Sequence, residues 1–175
     1  AGAGGIGRET TRLFVEAGAK VFICDIDETA LENTLSSFDN VAGARVDVSN
    51  PDQFKSFFNK ADQYLGGLDI MINNAGTAGP TALIEDISLE EWSNCLNINL
   101  TSAFLGTQES IPRIKDSNNE GGSIINLSSA AGKFGFPLRS PYSAAKWAIV
   151  GLTRTTALEV GKYGIRCNCI QPGPV

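Results

Sequence analysis

The sequence predicts an α/β domain built on a doubly wound parallel sheet. Short apolar runs alternate with longer amphipathic stretches along the 175 residues, the pattern of parallel strands joined by helices that cover both faces. A turn crowded with Gly2, Gly4, Gly5 and Gly7 heads the first helical stretch. The next apolar run then ends in an acidic residue, Asp25. The length suits one domain with a sizeable buried core, so residues 1–175 read as a single domain.

The glycine turn leads into a helix over about Ile6 to Ala17, and Val21 to Cys24 follows as a buried strand. Glu28 to Ser37 is helical, and Ala44 to Val48 is a weaker strand. Asn50-Pro51 offers an N-cap with proline at the first helical position, opening a helix that runs to Leu65. Leu68 to Ile72 reads as the next strand. Ser88 with Glu91 forms a capping box at the head of a long helix reaching Ile114. The polar stretch from Asp116 to Gly122 is an exposed loop before the strand Ser123 to Leu127. A helix over Tyr142 to Tyr163 and a strand over Ile165 to Ile170 complete the order. No strand precedes the glycine turn and no helix follows Gln171 to Val175, so the chain reads as an internal part of a longer domain, truncated at both ends.

Composition removes whole classes of function. Lys+Arg 14 against Asp+Glu 19 leaves a net charge of -5, which lacks the electrostatic footprint for nucleic acid or an anionic membrane. No apolar run is long enough to span a bilayer and the N-terminus is not a signal peptide, so the chain reads as soluble and cytoplasmic. There is no His, which excludes a Ser-His-Asp triad, a Cys-His nucleophile and a His-based zinc site. Cys24, Cys95, Cys167 and Cys169 form no CxxC clamp, so no metal site is expected and the thiols read as reduced. Proton chemistry must run on Tyr, Lys, Asp, Glu or Cys.

Three constellations fit one chemistry. Glycines let the backbone approach a pyrophosphate, and the helix beyond them supplies free N–H groups and the positive end of its dipole. Asp25, eighteen residues past Gly7, stands where a carboxylate accepts hydrogen bonds from an adenosine ribose, with Asp27 as a fallback. Its charge would repel a 2'-phosphate, and no cation adjoins Gly5 or Asp25 in sequence, so NAD is expected over NADP. Tyr142 and Lys146, one helical turn apart, pair a phenol with an ammonium that favours the phenolate. Ser129 stands at the carboxyl end of an apolar strand, the place where such sheets keep their ligand sites.

In these motifs the chain resembles a short-chain dehydrogenase/reductase of the single-domain type, over essentially its whole length. Gly5-Ile6-Gly7 resembles the end of the family's TGxxxGIG turn, with Ala1 where its first Gly belongs. Asp47-Val48 resembles its adenine-contacting pair, and Asn73-Asn74-Ala75-Gly76 its NNAG signature. Asn99 matches the family's Asn, Tyr142 to Lys146 its YxxxK behind Ser129, and Pro172-Gly173 its PG motif. The preceding strand and the segment that forms the family's substrate lid are not in the sequence.

The resemblance implies a Rossmann-type domain in which Tyr142 is the acid/base, Lys146 lowers its pKa and holds the nicotinamide ribose, and Ser129 orients the substrate oxygen. Asn99 would position a water that relays protons to Lys146. The cofactor would be held by Gly2, Gly5, Ile6, Gly7, Asp25, Ile26, Asp47, Val48, Asn74, Ala75, Gly76, Tyr142, Lys146, Pro172, Gly173 and Val175. The implied activity is NAD(H)-dependent interconversion of a small-molecule secondary alcohol and its ketone, by a homodimer or homotetramer. Ala130, Lys133, Phe134, Phe136 and Leu138 are candidate pocket residues. The alternatives are an idle dinucleotide-binding relative, against which the intact Ser129, Tyr142 and Lys146 speak, and an epimerase or dehydratase using the same Tyr-Lys pair.

Overall fold

A computed structural model describes residues 1–117 and 121–173. The chain divides into two compact units, Ala1–Gly67 and Leu68–Val175, both of alternating helices and parallel strands.

The first unit runs α1 (Gly5–Glu16), β1 (Val21–Asp25), α2 (Glu28–Ser37), β2 (Val41–Arg45) and α3 (Pro51–Leu65). Local chemistry sets its helix ends. Asp27 accepts from the Ala30 N–H to cap α2, and Asn50 accepts from the Asp52 and Gln53 N–H groups to cap α3 behind Pro51. β1 and β2 are parallel, with Val21 opposite Val41 and Asp25 opposite Arg45. Phe54, Phe57 and Phe58 lie three and four residues apart on α3, so they share one buried face. The ring of Phe57 lies 5.3 Å from that of Phe22 on β1.

β2 lies three residues earlier than Ala44 to Val48. Val46 still donates to the Asp25 carbonyl at 2.9 Å, but Asp47 leaves the ladder. Its carboxylate accepts from both the N–H and the hydroxyl of Ser49, a local turn that competes with strand pairing.

The second unit runs β3 (Ile70–Asn73), α4 (Leu89–Leu96), a π-helical segment (Asn97–Thr101), α5 (Ser102–Asp116), β4 (Gly122–Leu127), α6 (Ser140–Val160) and β5 (Ile165–Ile170). Its three strands are parallel in the order β3-β4-β5. Ile114, Ile124, Val160, Ile165 and Cys167 form its core. The strand ends are joined by buried amides: Asn73 donates to Asn126 at 2.8 Å, and Asn126 donates to Thr153 of α6 at 3.0 Å. A satisfied network of this kind fixes strand register, since each amide would be costly to bury unpaired.

Two corrections fall here. The long helix from Leu89 is interrupted at Asn97–Thr101, where the turn widens. The Ser102 N–H bonds back to Asn97, and the Ser102 hydroxyl donates to the Ile98 carbonyl at 2.5 Å. The last helix begins at Ser140, two residues before Tyr142, with Pro141 in its first turn, and it ends at Val160 in a short 3₁₀ turn, Gly161–Tyr163. Part of the polar loop, residues 118–120, lies outside the described residues, as does Val175. No helix among the described residues is long and apolar enough to cross a membrane.

Candidate active site

In the first unit, the glycine turn and Asp25 are in direct contact. Ala3 donates its N–H to one Asp25 carboxylate oxygen at 3.1 Å, and Asp27 donates to the other at 3.2 Å. Burial pushes the Asp25 carboxyl upward, and the two backbone N–H donors favour its ionised form. Asp27, the fallback for the same role, caps α2 with its carboxylate. Gly5 adopts φ +48°, a left-handed turn that a side chain would strain. It opens α1 with no side-chain cap and no acidic residue in the first turn. An uncapped helix N-terminus beside open glycine backbone suits a pyrophosphate, so this donor set fits a dinucleotide. Ile6 lies in the first turn, Gly7 is buried below it, and Gly2 donates its N–H to the Cys24 carbonyl at 2.9 Å. Ile26 is exposed just past Asp25. Asp47 and Val48 lie in the turn after β2, with Asp47 tied to Ser49.

In the second unit, the end of β4 and the first turns of α6 converge. Lys146 is only 4% exposed, and its Nζ donates to the Leu127 carbonyl at 2.8 Å. Its own carbonyl accepts from the Ser128 hydroxyl at 2.7 Å, so strand and helix are stitched at the two residues that precede Ser129. Burial lowers the Lys146 pKa to about 8. The Nζ lies 5.5 Å from the centre of the half-buried Tyr142 ring. Ser129 is half-buried, and its hydroxyl accepts from Ala131 at 3.2 Å at the start of a 3₁₀ turn. Ala130 donates to the Pro172 carbonyl at 2.8 Å, which brings the Pro172-Gly173 pair to the same strand end.

The segment Asn74-Ala75-Gly76 leaves β3 toward the same lysine. A Cβ at Gly76 would stand 2.9 Å from Asn99 Oδ1 and 3.4 Å from Lys146 Nζ, so only glycine lets these groups approach. Asn99 is fully buried in the π-helical segment. Its amide donates to the Thr77 and Cys95 carbonyls, both at 2.9 Å, and its oxygen accepts from the Thr77 N–H. The asparagine thus grips the loop behind Gly76 with both ends of its amide. Burial also pushes the adjacent Cys95 thiol upward.

Phe134, Phe136 and Leu138 are exposed between β4 and α6, and Lys133 lies with its Nζ 5.5 Å from the Phe134 ring centre. Sequence reading missed Ser128, Thr77, Cys95 and Arg139. The Ser128-Ser129 pair offered a signal, because alternation along a strand turns one hydroxyl inward and one outward. Nothing local marked the other three. The set gathered here can hold a proton, move it along buried polar groups and orient an oxygen near Ser129.

A family model described as short chain dehydrogenase matches residues 1–175. A 3-alpha-(or 20-beta)-hydroxysteroid dehydrogenase of Mycobacterium tuberculosis is 40% identical over 99% of this chain and 66% of its own length. A trans-4-hydroxycyclohexanecarboxylate dehydrogenase of Sinomonas cyclohexanicum is 37% identical over 98% of this chain and 68% of its own. The crystal structure of levodione reductase superposes with a TM-score of 0.93 at 32% identity, over 98% of this chain and 68% of that one. The chain thus spans about two thirds of the length of the relatives it matches.

Proposed function

Because the chain belongs to the short-chain dehydrogenase/reductase family, we propose that the protein it comes from interconverts a secondary alcohol and a ketone with NAD(H), using Tyr142 as the acid/base. The observation that carries this reading is the buried Lys146, one turn from Tyr142 and tied to the strand end that bears Ser129. A buried ammonium carries a desolvation cost that a Met or Leu at the same place would avoid, which supports a chemical role for it beside its bond to Leu127.

A bound nicotinamide dinucleotide supplies the hydride acceptor or donor. Ser129 hydrogen-bonds the substrate oxygen and orients it toward Tyr142. In the alcohol-oxidising direction the Tyr142 oxygen takes the hydroxyl proton; in reduction it returns one. Lys146 stabilises the phenolate and bonds the nicotinamide ribose hydroxyls. Asn99, through the loop it anchors, keeps a relay water in line with Lys146. Asp25 accepts from the adenosine ribose and disfavours a 2'-phosphate, the basis for NAD over NADP. Residues 1–175 act in this reading as a single dinucleotide-binding domain.

The exposed Phe134, Phe136 and Leu138 suit an apolar substrate body, and the steroid and cyclohexane alcohols in the relatives' names fit that character. The test is nicotinamide absorbance with the full-length protein, NAD and a panel of alicyclic secondary alcohols. Reduction of NAD by at least one alcohol is expected, and abolition by Tyr142→Phe. No turnover with any alcohol or ketone, despite measurable NAD binding, would favour the idle relative instead.

A further inference from the structure

Arg139 gathers three consecutive main-chain oxygens. Its Nη1 donates to the carbonyls of Ala78, Gly79 and Pro80 at 3.1, 2.9 and 3.4 Å. Arg139 is the residue immediately before α6, and its own carbonyl accepts from the Ser143 N–H at 2.9 Å, closing the first turn around Tyr142. The guanidinium therefore reaches from the head of the Tyr142 helix to a loop sixty residues earlier in the chain.

The backbone beside it makes a second tie. The Leu138 carbonyl accepts from the Ala82 N–H at 3.2 Å. Leu138 holds φ +63°, a left-handed conformation that is strained for a leucine. Strain of this kind persists only where the surroundings over-determine it. Here the Arg139 bonds on one side and the Ala82 bond on the other do so.

Asn99 grips Thr77 from α4 and the π-helical segment, while Arg139 and Leu138 grip residues 78–82 from the head of α6. The loop that continues Asn74-Ala75-Gly76 is therefore fixed at both ends, by two elements that also carry Asn99 and Tyr142. Charge-assisted bonds to carbonyls are shorter and stronger than neutral ones, and one rigid guanidinium serves several acceptors at once.

We propose that Arg139 is a positioning residue that sets the separation between the Gly76 segment and Tyr142, and so aligns the acid/base with the reacting centre. The proposal rests on Tyr142 as acid/base. Arg139 contributes no proton. Its effect is geometric, and a misplacement of about 1 Å can cost on the order of a hundredfold in rate.

Arg139→Ala and Arg139→Lys in the full-length protein test it, with Tyr142→Phe alongside. Turnover, NAD dissociation constant by calorimetry and melting midpoint are measured for each. For Arg139→Ala we expect kcat to fall at least about tenfold, with NAD affinity near wild type and the protein still fully folded at the assay temperature. Arg139→Lys, which keeps a cation able to reach one or two of the carbonyls, should recover part of the lost kcat. A kcat for Arg139→Ala within about twofold of wild type overturns the proposal. So does a loss that tracks the melting midpoint and that lysine does not relieve. If Arg139→Ala does not fold, Arg139→Lys decides: a lowered kcat with NAD affinity kept supports the role, and an unchanged kcat overturns it. An active Tyr142→Phe overturns the acid/base reading itself. An inactive Tyr142→Phe beside a fully active Arg139→Ala removes the Arg139 role alone.

Discussion

The ammonium of Lys146 donates to the carbonyl of Leu127 across 2.8 Å, so a buried cation on α6 is fastened to the strand end that presents Ser129. The bond does two jobs in one contact. It offsets part of the desolvation of the ammonium, and it fixes the lateral position of α6 against β4, hence of Tyr142 relative to Ser129. The Ser128 hydroxyl repeats the tie at the Lys146 carbonyl.

Tyr142→Phe removes a single hydroxyl from a half-buried ring and should lower kcat by roughly 10²–10⁴ while leaving NAD affinity within a few-fold. Steady-state turnover with calorimetric NAD binding checks it. Retention of a substantial share of kcat would show that the proton travels by another group.

Cofactor preference should follow the charge at Asp25. Its carboxylate accepts from the Ala3 and Asp27 N–H groups, which favour the ionised form against the upward push of burial. A 2'-phosphate beside it would meet a repulsion on the order of a few kcal/mol at short range in a partly desolvated site. Asp25→Ala with Ile26→Arg should shrink or reverse the NAD preference, read as the ratio of kcat/KM values. Equal wild-type efficiency with NAD and NADP would refute the charge argument.

The first unit was largely legible because its helix ends are written locally. Asp27, Asn50-Pro51 and the glycine turn act on backbone groups within three residues, and the observed bounds of α2 and α3 match the expected ones. β2 slipped because Asp47 takes Ser49 as its partner, a choice that an alternation pattern does not reveal. In the second unit, the pairing of Tyr142 with Lys146 on one helix face was legible from spacing. The burial of Lys146 was not, since it depends on Leu127, nineteen residues away in another element. The widened turn at Asn97–Thr101 is equally tertiary. The sequence there keeps helical periodicity, while Asn99 is drawn to Thr77, twenty-two residues earlier, and Ser102 takes the Ile98 carbonyl. Arg139 was invisible for the same reason, because its three acceptors are main-chain atoms of a distant loop.

Asn99→Asp keeps the size of the side chain but removes its two donors. The Thr77 and Cys95 carbonyls would each lose a buried partner, and a carboxylate oxygen would face them instead. Each orphaned buried group costs roughly 1–3 kcal/mol. The variant should therefore melt several degrees lower and lose turnover together with stability, because the loop behind Gly76 is released. Differential scanning calorimetry and kcat measured on one preparation check the pairing. A variant with wild-type stability would show that the amide's bonds to Thr77 and Cys95 carry no weight in holding the loop.

Lys146 gives the stability of the protein a particular dependence on pH. Burial lowers its pKa from 10.5 to about 8 in the folded state, while the unfolded chain keeps the ordinary value. Between pH 8 and 10.5 the unfolded chain thus binds more protons at this residue than the folded one, and stability rises with pH across that window. Below pH 8 both states are protonated, and the folded protein carries the full desolvation cost, on the order of 3 kcal/mol from the size of the shift. Lys146→Met removes the titration and fills a similar volume. Its unfolding free energy relative to wild type should be most favourable at neutral pH, and should become less favourable by about that amount as pH rises from 8 toward 10.5. Urea titrations of both proteins at several pH values read the difference directly, since the other ionisable groups are common to the two. A gap that stays flat across the window would mean that Lys146 is charged in the folded protein throughout. Its bond to Leu127 would then be compensating the desolvation in full.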